Sequence, residues 1–240
     1  MATMHLIRDD IERRCGDREM VERLLELDGK RVVELGCGAA VNTRALAAAG
    51  RDRRVLAYEV DQTQHQLNLA TPPQPNVEFR YGSAAAIDCA DGSVDVVMML
   101  KSLHHVPREA LPQALREIHR VLIVGGLFYV CEPLFAGAFN DILKLFHDEQ
   151  RVRAAAFGAL QDAVASGLFD LAAEEFYLTP SSFRDFAEFE QRVIKVTHTS
   201  HCLTPTLLAD VARSFATHCG ADGARFYNPM RVDVLVKPAA

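Results

Sequence analysis

Apolar positions along the chain change their period several times, and the changes mark out its elements. Ile11, Met20, Val21, Leu24, Leu25 and Leu27 recur at helical spacing among charges, which predicts an amphipathic helix or helix pair ending at Asp28-Gly29. From there short apolar runs alternate with helical patterns. The runs predict strands at 31–35, 55–59, 77–79, 94–100 and 126–131, and the patterns predict helices at 42–49, 62–70 and 109–121. Such alternation means βαβ units and a parallel sheet.

After Pro133 the pattern changes again. Residues 134–190 are helical in period and rich in Ala and Phe, which predicts a helical cap. Thr204-Pro205 then introduces a helix at about 206–218. Two strand-like runs, 224–227 and 232–236, are joined by Asn228-Pro229 and predict an antiparallel hairpin. There is no internal repeat and no low-complexity tract.

Composition narrows the function classes. At 240 residues a chain of this size buries roughly 70–75% of its unfolded surface, so a substantial core forms without staples. Net charge is −6 and the basic residues are scattered, which argues against a nucleic-acid partner. Six cysteines form no CxxC pair, and several sit in apolar surroundings, as in a reduced, cytoplasmic protein without structural zinc. The N-terminus lacks an apolar stretch of signal-peptide length and no segment is apolar over the ~18 residues of a membrane span, so no membrane partner is expected. Oligomeric state is not set by the sequence, and a homodimer stays open.

The chemistry begins at Gly36-Cys37-Gly38, which follows the strand VVEL and precedes a helix. Glycines there let the backbone turn sharply and approach a ligand at the strand's carboxyl end. Twenty-one residues after Gly38, Glu59 ends the next strand, where its carboxylate can accept ribose hydroxyls. A dinucleotide fingerprint needs a small residue at position 41, where this chain has Val41.

ELGCG, the Glu59 strand end, DGSVDVV at 91–97 and LREIHRVLIVGGLFYVCEP at 115–133 together resemble successive motifs of class I S-adenosylmethionine-dependent methyltransferases. The resemblance covers about residues 30–133 and resumes weakly near the C-terminus. It implies S-adenosyl-L-methionine as cofactor, with Gly36, Cys37 and Gly38 along its amino-acid half and Glu34 organising the turn. Glu59 would hold the ribose, Val60 would pack on the adenine, and Ser83, Ala84 and Leu100 would complete the lining. The fold it implies, with the periodicity above, is α/β and doubly wound: a Rossmann-like, seven-stranded, mostly parallel sheet with a C-terminal antiparallel hairpin and a helical cap. Residues 1–133 would hold the N-terminal helices and cofactor core, 134–190 the cap insertion for the acceptor, and 191–240 the completion of the sheet.

Two positions depart from the family pattern. Gly82-Ser83 stands where Gly-Asp is usual, so an uncharged, shorter hydroxyl meets the adenine end. Ile123-Val124 replaces the usual Lys-Pro in a turn remote from the chemistry.

An acceptor hydroxyl or protonated ring nitrogen would benefit from a general base, and histidine titrates near pH 6.5. His105, of the His104-His105 pair after the fourth predicted core strand, and His147, in the cap, are the candidate catalytic residues; each also has an ordinary structural reading. Lys101 would flank the cofactor. His198 and His201 have a spacing that suits a metal on a helix, but no third ligand is evident and no metal is expected; lining the pocket is their other reading. Cap aromatics such as Phe139, Phe183 and Phe189 could wall a planar acceptor, although most belong to the cap's core. Tyr227-Asn228-Pro229 reads as a turn.

The expected activity is methyl transfer to an oxygen or nitrogen of a small aromatic or heteroaromatic metabolite, of the kind found in secondary metabolism. Two alternatives stay open: carbon methylation of a quinone or lipid-like ring, and a cofactor-binding regulatory protein without transfer activity.

Overall fold

Strands covered on both faces read as unbroken apolar runs, and here such runs form the middle of the sheet. The computed structural model describes residues 4–196, 199, 201 and 203–239. The first half contains α1 (Asp17–Leu24), β1 (Arg31–Leu35), α2 (Val41–Ala49), β2 (Arg54–Glu59), α3 (Gln62–Leu69), β3 (Val77–Tyr81) and β4 (Val94–Leu100). Two 3-10 turns, Leu103–His105 and Arg108–Ala110, lead to α4 (Leu111–Val121) and β5 (Leu122–Pro133). Then come α5 (Ala138–Leu143), α6 (Gln150–Ala165), β6 (Asp170–Phe183), α7 (Phe186–Phe189) with a π-helical turn at Glu190–Ile194, α8 (Pro205–Ala216), β7 (Cys219–Gly220) and β8 (Gly223–Val236).

The sheet runs β3-β2-β1-β4-β5-β8-β6, with two-residue β7 paired to β8 off that path. Neighbours from β3 to β5 are parallel. β8 is antiparallel to both β5 and β6. Strand order reverses between β1 and β4, so a crevice opens beyond their carboxyl ends.

Successive strand residues point to opposite faces, and the two cores divide by parity. Val33, Leu35, Val97, Met99 and Phe128 face one side, against Leu111, Leu115 and Ile118 of α4 and Phe157 and Leu160 of α6. Val32, Val96, Met98 and Tyr129 face the other, against Met20 and Val21 of α1 and Leu46 and Ala47 of α2. A third core, built on Phe183, Phe189, Phe215 and Phe226, joins α7 and α8 to the ends of β6 and β8.

Two expectations are corrected. Residues 134–190 are not a wholly helical cap, because 170–183 form β6, paired with β8 along nearly its whole length. Ala- and Glu-containing DLAAEEF reads as helix locally, but the open edge of β8 and its ladder override that weak preference. As the outermost strand of the path, β6 also tolerates Pro180. The C-terminal antiparallel pairing is present, but 224–227 and 232–236 belong to one strand rather than two. Pro229 does not break it: the β5 ladder begins one residue later, at Pro133–Met230, so no β5–β8 ladder bond is lost at Pro229. Among the described residues no helix is long and apolar enough to cross a membrane.

Phe215 is 1% exposed and ties α8 to β6 and β8. Phe215→Ala should lower the unfolding free energy by about 3–5 kcal/mol in a urea titration. A loss below about 1 kcal/mol would mean that this third core does not fasten the C-terminal segment.

Candidate active site

Beyond the carboxyl ends of β1 and β4 lies a cavity of about 700 Å³. Gly36, Cys37 and Gly38 line it after β1, Glu59 and Val60 at the end of β2, Ser83 and Ala84 after β3, and Leu100, Lys101 and Ser102 after β4. Eight of the nine residues expected to hold the cofactor therefore border one space. The ninth, Glu34, is buried in β1, with Oε2 unpartnered and its carboxyl pushed up to about 7 by burial.

The turn needs its glycines for two different reasons. Gly36 has φ +75°, and a Cβ there would lie 2.7 Å from Ser102 Cβ. Gly38 has φ +52°, and a Cβ there would meet nothing within 4 Å, so its face is open for a close-lying ligand. The amides of Gly36 and Cys37 both donate to Tyr58 O at 2.9 Å, fixing the turn to β2. Burial pushes the Cys37 thiol up, making it a wall and not a nucleophile.

Glu59 is buried and accepts three backbone amides: Gly38 at 2.7 Å on Oε2, and Val60 and Asp61 at 2.9 Å on Oε1. A carboxylate offers about four acceptor sites, which leaves one, on Oε2, for a ribose hydroxyl. Val60 beside it is 58% exposed, an apolar surface of the kind an adenine ring covers. Ser83 Oγ already accepts from Ala85 N at 3.1 Å, so only part of its capacity faces the cavity. The open glycine face and the acid at the neighbouring strand end fit S-adenosylmethionine.

At the end of β4 the backbone is strained, with Lys101 at φ 59°. Its amide donates to Cys131 O at 2.7 Å and its Nζ to Asp17 Oδ2 at 2.5 Å, so α1 helps to hold this corner. The histidine pair divides in two. His104 is buried, with Nδ1 bonded to Glu132 and Nε2 3.4 Å from Glu149. Burial would lower its pKa, but the two carboxylates outweigh that and push it up to about 9. His105 is exposed, packs tilted against His104 with ring centroids 4.1 Å apart, and lines the cavity.

Glu149 is held by Arg153 at 2.5 Å and by His147 Nε2 at 2.9 Å, and against the effect of burial the contact with His104, together with the Arg153 guanidinium, keeps its carboxyl far below the usual range. His147 is thus bonded into this network and is not among the residues lining the cavity. His201 packs against Phe146 and His147, while His198 lies outside the described residues. His104, His105 and Glu149 have ligand-type atoms within 4.8 Å of one another, yet His104 already engages both carboxylates. Asp17, Glu132, Glu149 and Arg153 were not singled out from the sequence, because the first three act on partners from distant segments and Arg153 acts on Glu149.

His104 holds its proton more tightly folded than unfolded. Its contribution to stability is fully present below about pH 6.5 and fades as pH rises through about 9. His104→Gln should therefore cost about 3 kcal/mol near pH 6 in urea unfolding, with the gap to wild type narrowing up to pH 9. A gap that does not change with pH would contradict this protonation.

Comparison with known proteins places this geometry. The description "Methyltransferase domain" matches residues 33–130, the segment from β1 to β5 that supplies most of the cavity wall. A probable S-adenosylmethionine-dependent methyltransferase of Mycolicibacterium smegmatis is 32% identical over 125 residues, 51% of this chain and 46% of that protein. The ubiquinone/menaquinone biosynthesis C-methyltransferase UbiE of Rubrivivax gelatinosus is 32% identical over 119 residues, 50% of this chain and 45% of that protein. The chain spans less than half the length of either relative. Among solved structures, the YcgJ protein from Bacillus subtilis has the same fold, with a TM-score of 0.63 at 15% identity over 92% of this chain and 97% of that one. Over residues 33–130 the chain is thus similar to a methyltransferase domain, and the relatives it matches there include S-adenosylmethionine-dependent methyltransferases.

Proposed function

We propose that this chain transfers a methyl group from S-adenosylmethionine to an oxygen or nitrogen of a small aromatic or heteroaromatic molecule. The observation that carries the proposal is His105, an exposed imidazole in the wall of the cofactor-sized cavity, beside Lys101 and Ser102. Bound there, the cofactor supplies a sulfonium methyl already activated for in-line displacement. Glu59 would take a ribose hydroxyl, the glycine turn would admit the amino-acid half, and Val60 would cover the adenine. His105 would take the proton from the acceptor heteroatom, and His104, fixed between Glu132 and Glu149, would hold the neighbouring ring in place. His147 is assigned to holding Glu149 and not to the acceptor.

A second reading, methylation of a ring carbon, is favoured by the name of the Rubrivivax relative. In the third reading, a regulatory protein, the cofactor binds without transfer.

The test is incubation with labelled S-adenosylmethionine and a panel of phenols, anilines, heteroaromatics and quinols, with the product atom assigned by mass spectrometry and NMR. Label on oxygen or nitrogen, with kcat reduced about 10²–10⁴-fold by His105→Ala, is the expected result. Label on ring carbon would favour the second reading. Binding of S-adenosylhomocysteine without transfer to any acceptor would favour the third.

A further inference from the structure

A second cavity of about 280 Å³ lies next to the first, and Lys101 and Arg192 line both. Its size is at the small end of ligand clefts, which run about 300–1,000 Å³. Three cations, Lys101, Arg153 and Arg192, line it together with Asn140, Thr179, Ser181 and Asn228, and among the described residues no carboxylate does. That imbalance is local, because the whole chain carries −6.

The acids that pair with these cations are Asp17, Glu149 and Glu188, and none of them is part of the lining. The cavity therefore meets the positive members of three ion pairs. Arg153 has a side chain only 9% exposed, anchored to Leu134 O, Asn140 Oδ1 and Glu149, and its buried Nε has no hydrogen-bond partner. Arg192 lies over the Phe183 ring at 4.8 Å and uses Nη1 on Ser182 O and Glu188, with its other donors unbonded among the described residues. Phe139 and Phe183 supply flat apolar walls, stacked with centroids 6.1 Å apart. Asn228 donates to Ser181 Oγ at 3.0 Å while its buried Oδ1 is unpartnered, an acceptor left for a ligand hydroxyl or amine.

We infer that this second cavity binds the methyl acceptor through an anionic oxygen group, a carboxylate or a phosphate, with the acceptor's ring against Phe139 and Phe183. The inference rests on the methyl-transfer reading only in calling the ligand the acceptor. Anion binding itself follows from the lining: planar guanidinium groups match carboxylate and phosphate oxygens, and aromatic faces favour a ring. It restricts the substrate class from small aromatic molecules to small aromatic anions.

The test uses three probes of similar size, 4-fluorobenzoate, 4-fluorophenyl phosphate and 4-fluorobenzamide, titrated by ¹⁹F NMR with and without saturating S-adenosylhomocysteine. At least one anion should bind about tenfold or more tightly than the amide, weakening as salt rises. Which anion binds better separates carboxylate from phosphate recognition. Arg192→Gln should weaken the anions about fivefold or more and leave the amide unchanged. Ser181→Glu, which puts a carboxylate into this cavity alone, should abolish anion binding while S-adenosylhomocysteine still binds. Equal affinity for the three probes, or anion binding unaffected by Ser181→Glu, overturns the inference. Failure of S-adenosylhomocysteine to bind would sink the methyltransferase reading instead, since the probe titrations without it read the second cavity independently.

Discussion

The Glu59 carboxylate sets the geometry of the carboxyl edge. Its two oxygens take the amides of Gly38, Val60 and Asp61, so one buried acid joins the turn after β1 to the turn after β2. A buried carboxyl group bonded to three amides is strongly held, and without them its burial would be costly. The same group borders the cavity, so the interaction that shapes the turns leaves one carboxyl acceptor site at the cavity's edge. Tyr58 O, receiving two amides of the glycine turn, reinforces the same joint.

The far wall depends on a separate set of charges. His104 lies between Glu132 from the end of β5 and Glu149 at the start of α6, and Arg153 closes the chain of contacts. This network fastens the 3-10 turn after β4 to the end of β5 and the start of α6 and leaves the adjacent His105 facing the cavity. Lys101, strained at the strand end and tied to Asp17 of α1, stands where the two cavities meet. The two cavities thus share a corner that the N-terminal helix, β4 and the π-helical turn all help to build.

Local signals carried the first half of the fold. The apolar runs at 31–35 and 94–100 match β1 and β4 end to end, because strands buried on both faces leave an unbroken record in sequence. β6 and the continuous β8 were not legible. Their identity comes from pairing between segments some fifty residues apart, and DLAAEEF and Asn228-Pro229 point locally to helix and turn. At the site, motif spacing brought out Gly36, Gly38 and Glu59, whereas the division of labour between His104 and His105 needed the positions of Glu132 and Glu149. The basic lining of the second cavity was equally hidden, since Lys101, Arg153 and Arg192 are scattered along the chain and converge only in the fold.

The central claim is that Glu59 both joins the turns and holds the donor's ribose, and calorimetric titration with S-adenosylhomocysteine tests it most directly. Wild type should bind, and Glu59→Ala should lose about 1–3 kcal/mol of binding free energy while remaining folded. No binding to wild type, or equal affinity in the two proteins, would contradict the account.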